Sequence, residues 1–109
     1  MKNLDIFLEA NQALANGNYD KFISYCTEDI KWESVGEETF YGKQELFRYV
    51  SSTYKGLMFT TEKTIEAKNE LVELGQITFK FNGVSKKSSY CDIWNFKDGL
   101  VSRVTSFVI

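Results

Sequence analysis

The chemically most promising stretch of this sequence is Tyr90-Cys91-Asp92-Ile93-Trp94-Asn95-Phe96, because it sets a carboxylate among rings. Strand alternation puts Tyr90, Asp92, Trp94 and Phe96 on one side. If that side faces the interior, desolvation raises the pKa of Asp92, and a shifted acid in a cavity can bind an oxyanion or carry a proton. A second reading has Arg103, diagonally across a hairpin, neutralise Asp92 in a structural ion pair. Both readings are open at this level. The chain has no His, which excludes Ser-His-Asp and Cys-His nucleophiles, histidine bases and most zinc sites. Acid–base work is left to Asp, Glu, Lys, Tyr and Cys, and no metal or cofactor is expected. Cys26 and Cys91 read as free thiols, Cys91 inert without a histidine to activate it.

A ligand site around Asp92 is expected to draw on Trp32, Ser34, Tyr54, Tyr90, Trp94, Arg103 and Phe107, with apolar walls holding a flat or greasy molecule while the polar groups orient it. Alternatively, the rings fill the interior themselves, since aromatic stripes are usually core. Placing Ser34 and Asp92 among them argues for a partly open pocket.

The elements that position these residues follow from periodicity. Leu4, Phe7, Leu8, Asn11, Leu14 and Ala15 recur at helical spacing, with Asn3 as N-cap and Gly17 as the left-handed stop. Asn18 caps a second short helix through Tyr19, Phe22, Ile23 and Cys26. From Glu28 the period becomes two, with Ile30, Trp32 and Ser34 on one face. Phe40-Tyr41-Gly42 leads into a third helix carrying Leu46, Phe47, Val50 and Tyr54 inward. Strands follow over 58–68 and 71–81, the apolar phase of the second slipping from Val72 and Leu74 to Ile77 and Phe79 across Gly75, which suggests a bulge there.

Asn82-Gly83 and Asp98-Gly99 suit two-residue hairpin turns. The first sets Phe81 opposite Val84 and Gly75 opposite Tyr90. The second sets Phe96 opposite Val101, Trp94 opposite Arg103, Asp92 opposite Thr105 and Tyr90 opposite Phe107. The other sheet side then carries Cys91, Ile93, Val104 and Val108, an apolar patch suited to a two-fold homodimer. Helices first and antiparallel strands afterwards describe one α+β domain over 1–109.

Composition narrows the partners. Thirteen Lys plus Arg against 15 Asp plus Glu give a net charge of -2, with no basic stripe for nucleic acid. No run approaches the ~20 apolar residues of a membrane span. The opening Met1-Lys2-Asn3 enters an amphipathic segment instead of an apolar leader, so a cytoplasmic location is expected.

The order of elements, with Asn16-Gly17-Asn18-Tyr19-Asp20, Glu28-Asp29-Ile30-Lys31-Trp32-Glu33, the Tyr41-Gly42 step and Phe96-Lys97-Asp98-Gly99-Leu100-Val101, resembles the nuclear transport factor 2-like superfamily, above all its SnoaL-like branch. The resemblance implies a cone: three N-terminal helices in the concave face of a strongly curved, mainly antiparallel sheet, an apolar pocket inside, and dimerisation through the outer face. Set against the superfamily's ketosteroid isomerase, Asp92 falls at the oxyanion-binding acid, whereas Ser34 falls at the general base and Ala10 at the catalytic Tyr. That activity is therefore not implied. Dehydratases and polyketide cyclases of the superfamily rely on histidine or paired carboxylates, and limonene epoxide hydrolase on an Asp-Arg-Asp set. The expectation is a small-molecule binding protein for an apolar or aromatic ligand. The alternatives are a lyase, isomerase or hydrolase with Asp92 as catalytic acid or base, and a protein-interaction module.

Overall fold

The computed structural model describes residues 2–109, the side chain of Phe81 excepted. Two helices, α1 (Asn3–Ala15) and α2 (Tyr19–Ser24), precede strands β1 (Cys26–Ser34) and β2 (Thr39–Tyr41). Helix α3 (Gly42–Thr53) leads to β3 (Met58–Glu66), β4 (Glu70–Phe81), β5 (Val84–Lys97) and β6 (Leu100–Val108). The α+β class stands as expected, with one strand more: Thr39–Tyr41, read as a lead into α3, pairs with β1. Six strands run in the order β2-β1-β6-β5-β4-β3, antiparallel except for β1 beside β6.

Local chemistry sets the helix ends. Helix α1 is capped at Lys2, one residue before the expected Asn3, because the Lys2 N–H donates to Asp5 Oδ2 at 3.0 Å. Asn18 caps α2 through its side chain, which accepts from the Lys21 N–H at 3.3 Å. Ile6, Phe7, Ala10, Ala13 and Leu14 form the buried stripe of α1, while Leu8 and Ala15 face outward. Cys26, read as part of α2, is the first residue of β1 and is buried.

Between helices and sheet lies an aromatic core. The Phe7 ring meets Trp94 edge-on at 5.0 Å, and Phe22 contacts both Trp32 and Trp94. Edge-to-face pairs of this kind add about 0.5–1.5 kcal/mol beyond the area they bury.

Two bulges decide which side chains reach that interior. The hairpin turn pairs Phe96 with Val101 as expected, but Asn95 then pairs with Arg103, so Ser102 is an extra residue on β6. Its hydroxyl donates to the Asn95 carbonyl at 3.2 Å. Beyond it the register shifts by one: Trp94 faces Val104, Asp92 faces Ser106 and Tyr90 faces Val108. A one-residue slip exchanges the two faces of a strand. Val104 and Ser106 are accordingly buried, Val108 turns to the inner side, and Arg103 and Phe107 turn outward.

The second bulge sits at Glu62 on β3, where Thr61 pairs with Gly75 and Lys63 with Leu74. The β4–β5 register through Gly75 is unbroken, and the inward residues of β4 are Leu71, Glu73, Gly75 and Ile77 without a phase slip. The expected bulge at Gly75 is therefore one strand away. Gly75 serves close approach instead: a Cβ there would lie 2.6 Å from the tip of the Tyr90 ring and would collide with the Thr60 carbonyl.

Candidate functional site

Inside the sheet, at the end away from β2, a crevice of about 20 Å³ opens between α1, α3 and strands β3 to β6. That is room for about one water molecule. Tyr54, Phe59, Tyr90 and Trp94 provide aromatic walls, Leu14, Ile77 and Val108 apolar ones, and Asn11, Glu73, Asp92 and Ser106 the polar lining. The tip of α3 delivers Tyr54 as its C-cap residue. Its ring meets Phe59 at 5.9 Å, and Phe59 meets Tyr90 at 6.4 Å.

Asp92 is 6% exposed, and its Oδ1 has no hydrogen-bond partner among the described residues. Burial pushes its carboxyl up to about 7, the Ser106 hydroxyl works the other way, and the charge of Glu73 adds to the rise. This outcome traces to the bulge. With Ser102 extra, Asp92 faces a neutral serine, and Arg103 bonds Glu33 Oε1 at 3.3 Å on the outer side. The Asp92–Arg103 pair that straightforward hairpin register suggests is thus absent.

The largest addition to the sequence reading is Glu73, 1% exposed on the inner face of β4. Oε2 accepts from the Tyr90 hydroxyl at 2.6 Å and from the Thr61 hydroxyl at 2.6 Å, and Oε1 accepts from the Trp94 indole N–H at 3.2 Å. Asn11 Nδ2 donates to Thr61 Oγ1 at 3.1 Å, which extends the chain of bonds to α1. Burial in the first place, then the bond to Glu73, raises the Tyr90 phenol well above its ordinary range. Burial and the charge of Asp92 do the same for Tyr54. A period-two reading of Leu71-Val72-Glu73-Leu74 puts the apolar pair Val72 and Leu74 inside, and so hides Glu73. A signal was nevertheless present: Glu73 stands two residues from Gly75, itself opposite Tyr90.

Of the residues proposed from sequence, Tyr54, Tyr90, Asp92 and Trp94 line the crevice together. Trp32 lies behind Tyr54, 1% exposed and packed at 6.1 Å from its ring, its own indole N–H without a partner among the described residues. Ser34 sits at the far end of β1, its hydroxyl 3.5 Å from Glu37 Oε2. Arg103 and Phe107 are on the outer surface, Phe107 opposite Cys91. The apolar patch assigned to that surface loses Val104 to the core and Val108 to the crevice mouth, and keeps Cys91 and Ile93.

The described residues contain no group of three potential metal ligands, and no helix among them is long and apolar enough to cross a membrane. Both cysteines are free, and burial pushes the Cys26 thiol up to about 12.

Comparison with known proteins agrees with this architecture. The SnoaL-like domain model matches residues 7–104, so the chain belongs to the SnoaL-like family. Among solved structures, an NTF2-like protein of unknown function from Cytophaga hutchinsonii is similar at 22% identity and TM-score 0.82, over 96% of this chain and 97% of that one. A candidate ketosteroid isomerase from Kribbella flavida aligns at 18% identity and TM-score 0.88, over 98% and 77%. An uncharacterised cystatin-fold protein from Novosphingobium aromaticivorans aligns at 14% and 0.85, over 97% of each chain. At such identities the likeness is one of fold. No curated protein sequence is similar enough to count as a relative.

Proposed function

We propose that this protein binds a small apolar or aromatic molecule bearing one polar group, with the rings of Tyr54, Phe59, Tyr90 and Trp94 around its body and Asp92 on its polar end. The observation that carries this reading is the Asp92 carboxyl, which lines the crevice while only 6% exposed, with no lysine or arginine among the described lining residues. The crevice as it stands admits about one water, so a larger ligand must displace a wall. Tyr54 is the wall to move, because it also borders an open groove lined by Ala15, Tyr19, Lys55 and Leu57. Thermal-shift screening of small aromatic alcohols, ketones, phenols and amines tests the reading. A compound that stabilises the wild type and fails with Asp92→Asn is the expected result; no stabilisation by any of them rejects it.

A second reading is favoured by the position of the Asp92 pKa near neutrality, where a group is best placed to take and return a proton. On this reading Asp92 is the acid or base of an isomerase, lyase or hydrolase, and Glu73 acts only by fixing Tyr90. The outer face supports self-association as a further proposal, through Val72, Leu74, Ile93 and Phe107. A dimer mass that drops to the monomer in Ile93→Asp is expected, and an unchanged monomeric mass in the wild type contradicts it.

A further inference from the structure

The crevice has an unusual balance of donors and acceptors. The Tyr90 hydroxyl, the Thr61 hydroxyl and the Trp94 indole N–H all give their protons to Glu73, and one amide proton of Asn11 goes to Thr61. What is left around the crevice is the Asp92 carboxyl, the lone pairs of the Tyr90 oxygen, the hydroxyls of Tyr54 and Ser106 and the second Asn11 amide proton. Two carboxyl groups line this space, and no lysine or arginine among the described residues does. An anion would meet two acids and only neutral donors there. A cation would meet a carboxylate and aromatic walls, and a ring that turns its face to a nearby positive charge adds about 0.5–2 kcal/mol.

From this geometry we infer that the polar group of the ligand is a protonated amine, bound with its N–H donors toward Asp92 and Tyr90 and its carbon substituents against the rings. The inference rests on the proposed ligand-binding role and specifies its chemistry. A crevice with room for about one water accommodates an ammonium head without rearrangement, and the tail follows the Tyr54 side toward the groove.

Binding of this kind is coupled to ionisation of Asp92. The titratable groups near it on the inner side are Glu73 from β4, Tyr49 from α3, Tyr54 at the end of that helix and Tyr90 from its own strand, with Cys91 behind it on the outer face; α1 and β6 contribute the neutral Asn11 and Ser106. None of these supplies a positive charge to balance the carboxylate, and a bound ammonium would. Amine affinity therefore rises with pH, about tenfold between pH 6 and pH 8, while the amine itself stays protonated.

Calorimetry with benzylamine and the near-isosteric benzyl alcohol and phenol, at pH 6 and pH 8 and in two buffers of different ionisation enthalpy, tests the inference. Expected are preference for benzylamine over both neutral probes, the tenfold gain from pH 6 to pH 8, release of about one proton at pH 6, and at least tenfold weaker binding by Asp92→Asn. If phenol or benzyl alcohol binds as tightly as benzylamine, or tighter at pH 6, a neutral Asp92 is donating and the amine inference fails while the binding role survives. If none of the three binds, the amine inference falls, and the screen of ketones and other aromatics decides the binding role separately. Should the variant not fold, the pH dependence and proton count on the wild type decide alone.

Discussion

Replacing Asp92 by Asn should make the protein more stable at neutral pH, the reverse of what loss of a structural ion pair would do. From its ordinary 3.8 the carboxyl is raised to about 7. That interval is roughly three pH units at about 1.4 kcal/mol each, so the ionised side chain costs the native state about 4 kcal/mol. Below about pH 4 the group is protonated in both states and costs nothing. As pH climbs, the unfolded chain gives up the proton first, and stability falls until about pH 7, where the native state ionises too. Asn has no such term, though its buried amide forfeits about 1–2 kcal/mol for incomplete hydrogen bonding. The variant should thus be slightly weaker than wild type at pH 4 and about 2–3 kcal/mol stronger at pH 8, on the order of 10 °C in Tm. Urea denaturation of both proteins at one-unit steps from pH 4 to pH 8 reads the difference directly. A difference that stays flat, or that turns against the variant as pH rises, refutes the reasoning.

Three further outcomes follow from the same packing. Glu73→Ala removes the acceptor shared by Tyr90, Thr61 and Trp94; stability measured by denaturation should drop on the order of 3–5 kcal/mol, with Glu73→Gln losing less. Gly75→Ala drives a methyl into the Tyr90 ring and the Thr60 carbonyl, so a loss of about 1–3 kcal/mol and a changed Tyr environment in near-ultraviolet dichroism are expected. Arg103→Ala breaks only an exposed pair with Glu33; a change within about 1 kcal/mol, with ligand binding untouched, is the expected result.

How far the sequence discloses the molecule depends on where its local rules hold. The Asn18 cap, the Gly17 stop and the Asn-Gly and Asp-Gly turns are chemical signals confined to a few residues, and they hold in the structure, while the start of α1 falls at Lys2, one residue before the expected cap Asn3. Register beyond a turn is different, because one extra residue inverts every later side chain. Ser102 carries no mark that distinguishes it from its neighbours, so unbroken pairing from the turn puts Arg103 and Phe107 inside, whereas the inward residues of β6 are Val104 and Ser106. Glu73 escaped for a related reason. Period-two analysis equates interior with apolar, and a buried acid held by three donors is the case in which that equation fails. Asp92 lies inside under either register, since β5 itself runs without a break from Tyr90 to Trp94.

The decisive measurement is the titration of Asp92 itself, by carbon-detected NMR of its side-chain carboxyl between pH 3 and pH 9. A midpoint near 7 is predicted for an acid shielded from water, with a serine across from it on β6 and a second acid, Glu73, on β4. A midpoint at or below 4 would mean a solvated or cation-paired carboxylate, and the proposed site would have no basis.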